Sequence, residues 1–533
     1  MSADRPLPSP SFGVRLRESP LFAERARPRG VARWRYAHWL AVGTVCLGAF
    51  LGQLTASITA LVFPALEHHF GAGPATVEWV ALAYLLVLVA LLAPIGRLSD
   101  LVGRKTMYLW GFAVFALASL GAGFAGSLAL LVACRAVQAV GGAMMQANSV
   151  ALVARGVPGR AMRGALGVQA AAQGLGLALG PTLGGLLVQH ASWRWAFWIN
   201  VPIGVLGILA GWFLLPRTRP EAAPGPSHEA PGRSAAEAPG HAGAPIASGG
   251  GRFDLPGLLL LAGASATLLL ALSAASGLPV PAWAAVALLL ASVVLGHALA
   301  RREQRAERPI IAPGLVSTPG VRAGLVVALL GYLLLFCPLV LGPMMLAGAG
   351  LPTARAGLVI TLLPAAFALT ATLGGRLLPR HWPDGTRCRW GAGTAGAGLA
   401  LLALLPAGAT LPRLIPPGVA LLVIGAGLGL LLPANNALVM RAVPAECSAL
   451  GGGMVNMVRS LGTALGTALP VLGVHLAGPA LGGRAVLLVL VVLAGSAVVL
   501  GGAGGGAPGP TGTDGRAPRG RPSGGDRTGV RRT

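Results

Sequence analysis

From His38 onward the chain alternates long apolar runs with short breaks rich in glycine, proline and arginine. Fourteen runs can be counted, at roughly 38–64, 78–96, 106–126, 128–153, 164–189, 195–215, 255–276, 280–300, 321–346, 356–378, 390–409, 414–438, 449–476 and 484–504. A helix of about 20 residues, rising about 1.5 Å per residue, reaches across the roughly 30 Å hydrocarbon core of a bilayer. The pattern therefore predicts an all-α integral membrane protein of fourteen transmembrane helices. An even number of crossings leaves both termini on one side.

The basic residues orient this pattern. With 39 arginines, one lysine and 16 acids, the formal net charge is +24. That balance alone would suit a polyanionic partner. The charges lie in breaks and tails, however, not on one face of a folded domain, which excludes nucleic acid as the partner. Of the 40 basic residues, 34 fall on the side of the termini and four (Arg194, Arg355, Arg413 and Arg484) on the opposite side. The remaining two, Arg135 and Arg459, lie inside runs. The positive-inside rule then places both termini in the cytoplasm and the chain in the cell membrane. A signal peptide is the alternative reading of the first run, but the run is too long for one and lacks a convincing cleavage site, so it is expected to remain as the first span.

The breaks divide the chain further. Residues 1–37 form a basic cytoplasmic tail, followed by six runs over 38–215. Residues 216–253, rich in Pro, Gly, Ala, Ser and Glu, read as a flexible cytoplasmic linker. Two runs over 254–300 and a cytoplasmic connection at 301–320 precede six more runs over 321–504. Residues 505–533 form a Gly/Pro/Arg tail that is expected to be disordered. The five cysteines are scattered, without metal-ligand spacing, so neither a disulfide framework nor a metal site is expected. No nucleotide-binding loop or catalytic constellation is found, so no cofactor is expected and the chain does not read as an enzyme.

The break at 96–105 is the most informative: Gly96-Arg97-Leu98-Ser99-Asp100-Leu101-Val102-Gly103-Arg104-Lys105. It reads as a tight cytoplasmic turn in which Gly96 and Gly103 let two helix ends approach, with Asp100 near the positive end of the next helix. In the fourth run, Arg135 lies in Leu131-Val132-Ala133-Cys134-Arg135-Ala136-Val137-Gln138. A charge there is costly and by default faces the interior. The fifth run carries Gly176-Leu177-Ala178-Leu179-Gly180-Pro181-Thr182-Leu183-Gly184-Gly185, a stripe of small residues suited to close helix packing, with a bend expected at Pro181. Trp193-Arg194-Trp195-Ala196-Phe197-Trp198-Ile199-Asn200-Val201-Pro202 reads as an interfacial aromatic belt and a helix start.

Together these stretches resemble the major facilitator superfamily, and within it the 14-span drug:proton antiporter family. The resemblance covers about residues 40–500, with support from Glu78-Trp79-Val80, Phe253-Asp254-Leu255-Pro256-Gly257 and Asn456-Met457-Val458-Arg459-Ser460-Leu461-Gly462. It implies two six-helix bundles plus two inserted helices, rocking about a central site. It also implies conformational roles for Gly96, Asp100, Gly103, Arg104, Arg135, Gly180, Pro181 and Arg459, with Asp100 in a latch between the bundles. One departure stands out: Thr55 occupies the place where many members carry an acid.

No carboxylate lies in the interior of a run, which leaves Glu78, at the edge of the second, and Asp100 as candidate proton carriers and Thr55, Arg135 and Arg459 as candidate cavity residues. Pairing of Glu78 with Arg135 is an open alternative. The function this implies is proton-coupled efflux of drug-like or antibiotic small molecules, the partners being substrate, protons and the lipid bilayer. An importer, an uncoupled facilitator and a transport-silent receptor or scaffold stand as alternatives. Neither the substrate nor the oligomeric state is encoded legibly.

Overall fold

The computed structural model describes residues 24, 27–34, 36–158, 162–218, 254–278, 280–306, 313–348, 350–377, 379, 382–405, 411–443 and 448–503. Most of the expected tails and of the 216–253 linker lie outside them. The long helices are α1 (Ala37–Phe70), α2 (Trp79–Val102), α3 (Arg104–Gly123), α4 (Leu128–Gly156), α5 (Met162–His190), α6 (Asn200–Leu214) and α7 (Leu255–Ala275). They continue as α8 (Ala282–Arg305), α9 (Pro319–Gly348), α10 (Thr353–Leu377), α11 (Asp384–Leu404), α12 (Leu411–Ala442), α13 (Ser448–Ala477) and α14 (Gly483–Ala503). There is no strand among the described residues.

Local chemistry sets several of the ends. Ser127 Oγ accepts from Leu130 N at 3.2 Å and starts α4, and Asp254 Oδ1 accepts from Gly257 N at 3.1 Å and starts α7. Between α2 and α3 the chain reverses at Gly103 alone, with φ 112°, a conformation that side chains with a Cβ rarely adopt. The expected ten-residue turn is thus mostly helix: α2 runs on through Val102, and Arg97 and Asp100 lie in its last turns. Gly96 makes no close approach, since a Cβ placed there would meet nothing within 4 Å.

Among the described residues, twelve stretches are long and apolar enough to cross a membrane. One of them, Gly451–Gly501, contains both α13 and α14, which a π turn at Gly478–Gly482 joins. Helix α11 is not among the twelve, because Asp384, Arg387 and Arg389 share its first two turns with small residues.

Helices α1 to α6 pack on one another, with α1 against α5, α3 against α4 and α2 against α4. Helices α9 to α14 do likewise, with α11 against α12, α9 against α13 and α11 against α14. The two sets meet along α5–α10 and α2–α13. The hairpin α7–α8 lies against α2 and α13, beside the second of these seams.

Candidate functional site

Two adjacent chambers lie between the sets. The larger, about 680 Å³ counting its opening to solvent, is lined by Gln53, Tyr84, Gln146, Ser149, Gln173, Tyr332, Phe336, Arg459, Ser460 and Thr463, among others. The smaller, about 340 Å³, is lined by Phe63, Arg135, Val340 and Thr467. Ala56, Tyr84, Leu85, Phe336 and Thr463 line both. Helix directions order the two. The larger chamber lies toward the end of the molecule that carries Gly103, and the smaller toward the opposite end.

The seam closes at that opposite end. Thr182 and Thr361 share a hydroxyl hydrogen bond of 2.6 Å, and Gln189 Oε1 accepts from Ala354 N at 3.0 Å. A Cβ on Gly357 would stand 2.4 Å from Pro181 O, and one on Gly185 would stand 2.7 Å from Thr353 O. The glycine stripe of α5 therefore has two faces. Gly176, Gly180 and Gly184 bring α1 close, since added Cβ atoms would collide with Phe50 O, Ser57 Oγ and Ile58 Cγ1. Pro181 and Gly185 bring α10 close across the seam. Backbones approach this closely only where side chains are absent. These seam contacts use residues 181–189 of α5 and 353–361 of α10, and the approach continues to mid-helix, where a Cβ on Gly174 would stand 2.8 Å from Ala368 Cβ.

Arg135 is fully buried and held by its own set. Its Nε donates to Val80 O at 2.8 Å, Nη1 donates to Gln138 Oε1, and Gln138 Nε2 donates in turn to Ser119 Oγ at 2.5 Å. The guanidinium lies 4.5 Å from the Tyr84 ring centroid. Glu78 does not neutralise it. That carboxylate is also fully buried, but its Oε1 accepts from Ser273 Oγ on α7, and Oε2 has no hydrogen-bond partner among the described residues. Arg459 is placed differently, half-buried in the wall of the larger chamber and 5.7 Å from the Tyr332 ring centroid.

Thr55 is not a cavity residue. It is fully buried between α1 and α6, where its hydroxyl donates to Asn200 Oδ1 at 3.0 Å. Its neighbours Gln53 and Ala56 take the cavity face instead, because successive helix positions point about 100° apart. At the Gly103 turn, Lys105 is buried, and its Nζ donates to Trp212 O at 3.0 Å and Leu215 O at 2.8 Å, serving the carbonyl end of α6. Arg104 is half-buried beside it. The side chain of Asp100 lies outside the described residues.

The three cavity glutamines and Tyr332 were not singled out from the sequence, although Gln53, Gln146 and Gln173 each interrupt an apolar run. Ser273 carried no such signal. Its role depends on a packing partner 195 positions away.

A chain of many apolar helices long enough to cross a membrane, packed around a cavity of mixed apolar and polar lining, is a multi-pass membrane protein. The family model described as the Major Facilitator Superfamily matches residues 45–467. The chain belongs to that family and is a membrane transporter, not an enzyme. It is 28% identical over 433 residues to the riboflavin transporter RibZ of Clostridioides difficile (strain 630), covering 81% of this chain and 87% of that one. It is 28% identical over 472 residues to the tetracenomycin C resistance and export protein of Streptomyces glaucescens, covering 84% and 79% respectively. A putative multidrug resistance protein, MdtD of Salmonella typhi, is 32% identical over 251 residues, covering 47% and 46%.

Proposed function

We propose that this transporter exports drug-like or antibiotic small molecules from the cytoplasm in exchange for protons. In this reading α1–α6 and α9–α14 are two bundles that rock about the cavity, and the chain crosses the cell membrane fourteen times with both termini inside. The fourteen long helices and the 34 basic residues assigned to one side support the topology. The seam between the two sets carries the reading. A cavity closed at one end by glycine-mediated contacts, and continuing toward the Gly103 end, is one half of an alternating-access cycle. Export is drawn from the relatives named for export and resistance, and proton exchange from the resemblance of the motifs to the drug:proton antiporter family. Glu78 and Asp100 are the candidate proton carriers, with Asp100 at the cytoplasmic latch.

The test is a growth-inhibition panel in an efflux-deficient host, with and without a protonophore. Raised resistance to at least one compound, with lower cell accumulation that the protonophore abolishes, is the expected result. Higher accumulation in energised cells would favour the second reading, uptake, for which the riboflavin transporter is the precedent.

A further inference from the structure

The chemistry of the larger chamber narrows what it holds. Arg459 is the only charged residue lining it among the described residues; the remainder are apolar, hydroxyl or amide groups. The smaller chamber likewise contains a single charge, Arg135, and no acid. The two arginines are not equivalent. Arg135 is occupied by Val80 O and Gln138 and is sealed from solvent. Among the described residues no carboxylate pairs with Arg459, whose guanidinium stands over an aromatic ring with its donors left to the chamber. A guanidinium stays charged at any physiological pH, so an unpaired one in a half-enclosed wall favours an oxyanion, which it can grip with two donors. Tyr84, Tyr332 and Phe336 surround the same space with flat apolar surface, and Gln53, Gln146 and Gln173 supply neutral donors and acceptors.

We propose that the chamber recognises planar aromatic molecules bearing an ionised acidic group, a phenolate or carboxylate, with Arg459 as the residue that selects for the anion. Ring faces pack the aromatic body, the amides adapt to its neutral oxygens, and the unopposed positive charge rejects lipophilic cations. This rests on the cavity being the transport pathway, as proposed above, but it concerns binding and is tested without transport.

The probes are fluorescein and rhodamine 123, which share a three-ring xanthene skeleton and carry opposite charge. Their binding to the purified full-length chain in detergent is followed by fluorescence anisotropy at constant ionic strength. Fluorescein is expected to bind more tightly than rhodamine 123. Arg459→Gln should weaken fluorescein binding by about tenfold or more, the scale of a lost charge-assisted contact. Arg459→Gln should leave rhodamine 123 unchanged or tighter, and Arg459→Lys should recover part of the fluorescein affinity. Equal affinity of the wild type for the two dyes, or preference for the cation, would overturn the proposal without reference to any variant. So would fluorescein binding that a folded Arg459→Gln protein retains in full. Selective fluorescein binding by a chain that exports nothing would instead defeat the functional reading and leave the recognition site standing.

Discussion

Arg135 and Arg459 look alike in sequence, each a lone cation inside a long apolar run, yet the fold treats them in opposite ways. Arg135 is enclosed by α2, α3 and α4, with a carbonyl, an amide and an aromatic face as fixed partners. Arg459 faces open space between the two helix sets. A buried cation costs several kcal/mol unless its donors are satisfied. The chain meets that cost with protein groups at Arg135 and leaves it to solvent or ligand at Arg459. The first is therefore part of the scaffold, and the second is available for recognition.

The largest expected effect that probes this contrast comes from Arg135→Ala. It leaves Val80 O and Gln138 without their partner and opens a void, a combined loss of about 3 kcal/mol. Thermal unfolding in detergent should show a clear drop and little folded protein should be recovered. Arg459→Ala should change stability by less than about 1 kcal/mol, because no fixed contact besides one ring face is lost. Equal destabilisation of the two variants would remove the distinction.

The seam offers a second contrast, between glycines that serve packing within a helix set and those that serve closure between sets. Gly357→Val would drive Cβ into Pro181 O, so closure at that end should fail. Transport should fall by about tenfold or more while unfolding shifts little, since overpacking here is relieved by separating the sets. Gly180→Val acts inside the first set, against Ser57, and should lower stability and transport together. At the small end of the scale, Ser273→Ala removes the hydroxyl that Glu78 accepts from and should cost about 1 kcal/mol. Thr55→Val should cost about as much, by freeing Asn200 Oδ1, and should leave dye selectivity unchanged.

The helices were legible because apolar runs of about 20 residues allow few other structures. For α11 the apolar run at 390–409 misses the first two turns, which carry Asp384, Arg387 and Arg389, since the helix spans Asp384–Leu404. The motifs located Arg135, the α5 stripe and the Gly103 turn. Facing was not legible. Thr55 occupies the place where the resemblance leads one to expect an acid, but a single helix gives no neighbour to show that this position points toward Asn200 and not the cavity. The burial of Glu78 was hidden for the same reason, since its cover comes from α7. Gly96 was read as a contact and proved to have open space beside it, the reversal depending on the positive φ of Gly103.

Alternating access requires the α5–α10 contact to break in each cycle. Thr182 and Thr361, whose hydroxyls lie 2.6 Å apart, allow that contact to be locked. Cysteines placed at both positions, with the native cysteines replaced, would be oxidised in proteoliposomes and transport of an exported compound followed under an imposed pH gradient. The account predicts transport before oxidation, loss of it once the cross-link forms, and recovery on reduction. Undiminished transport by fully cross-linked protein would contradict it.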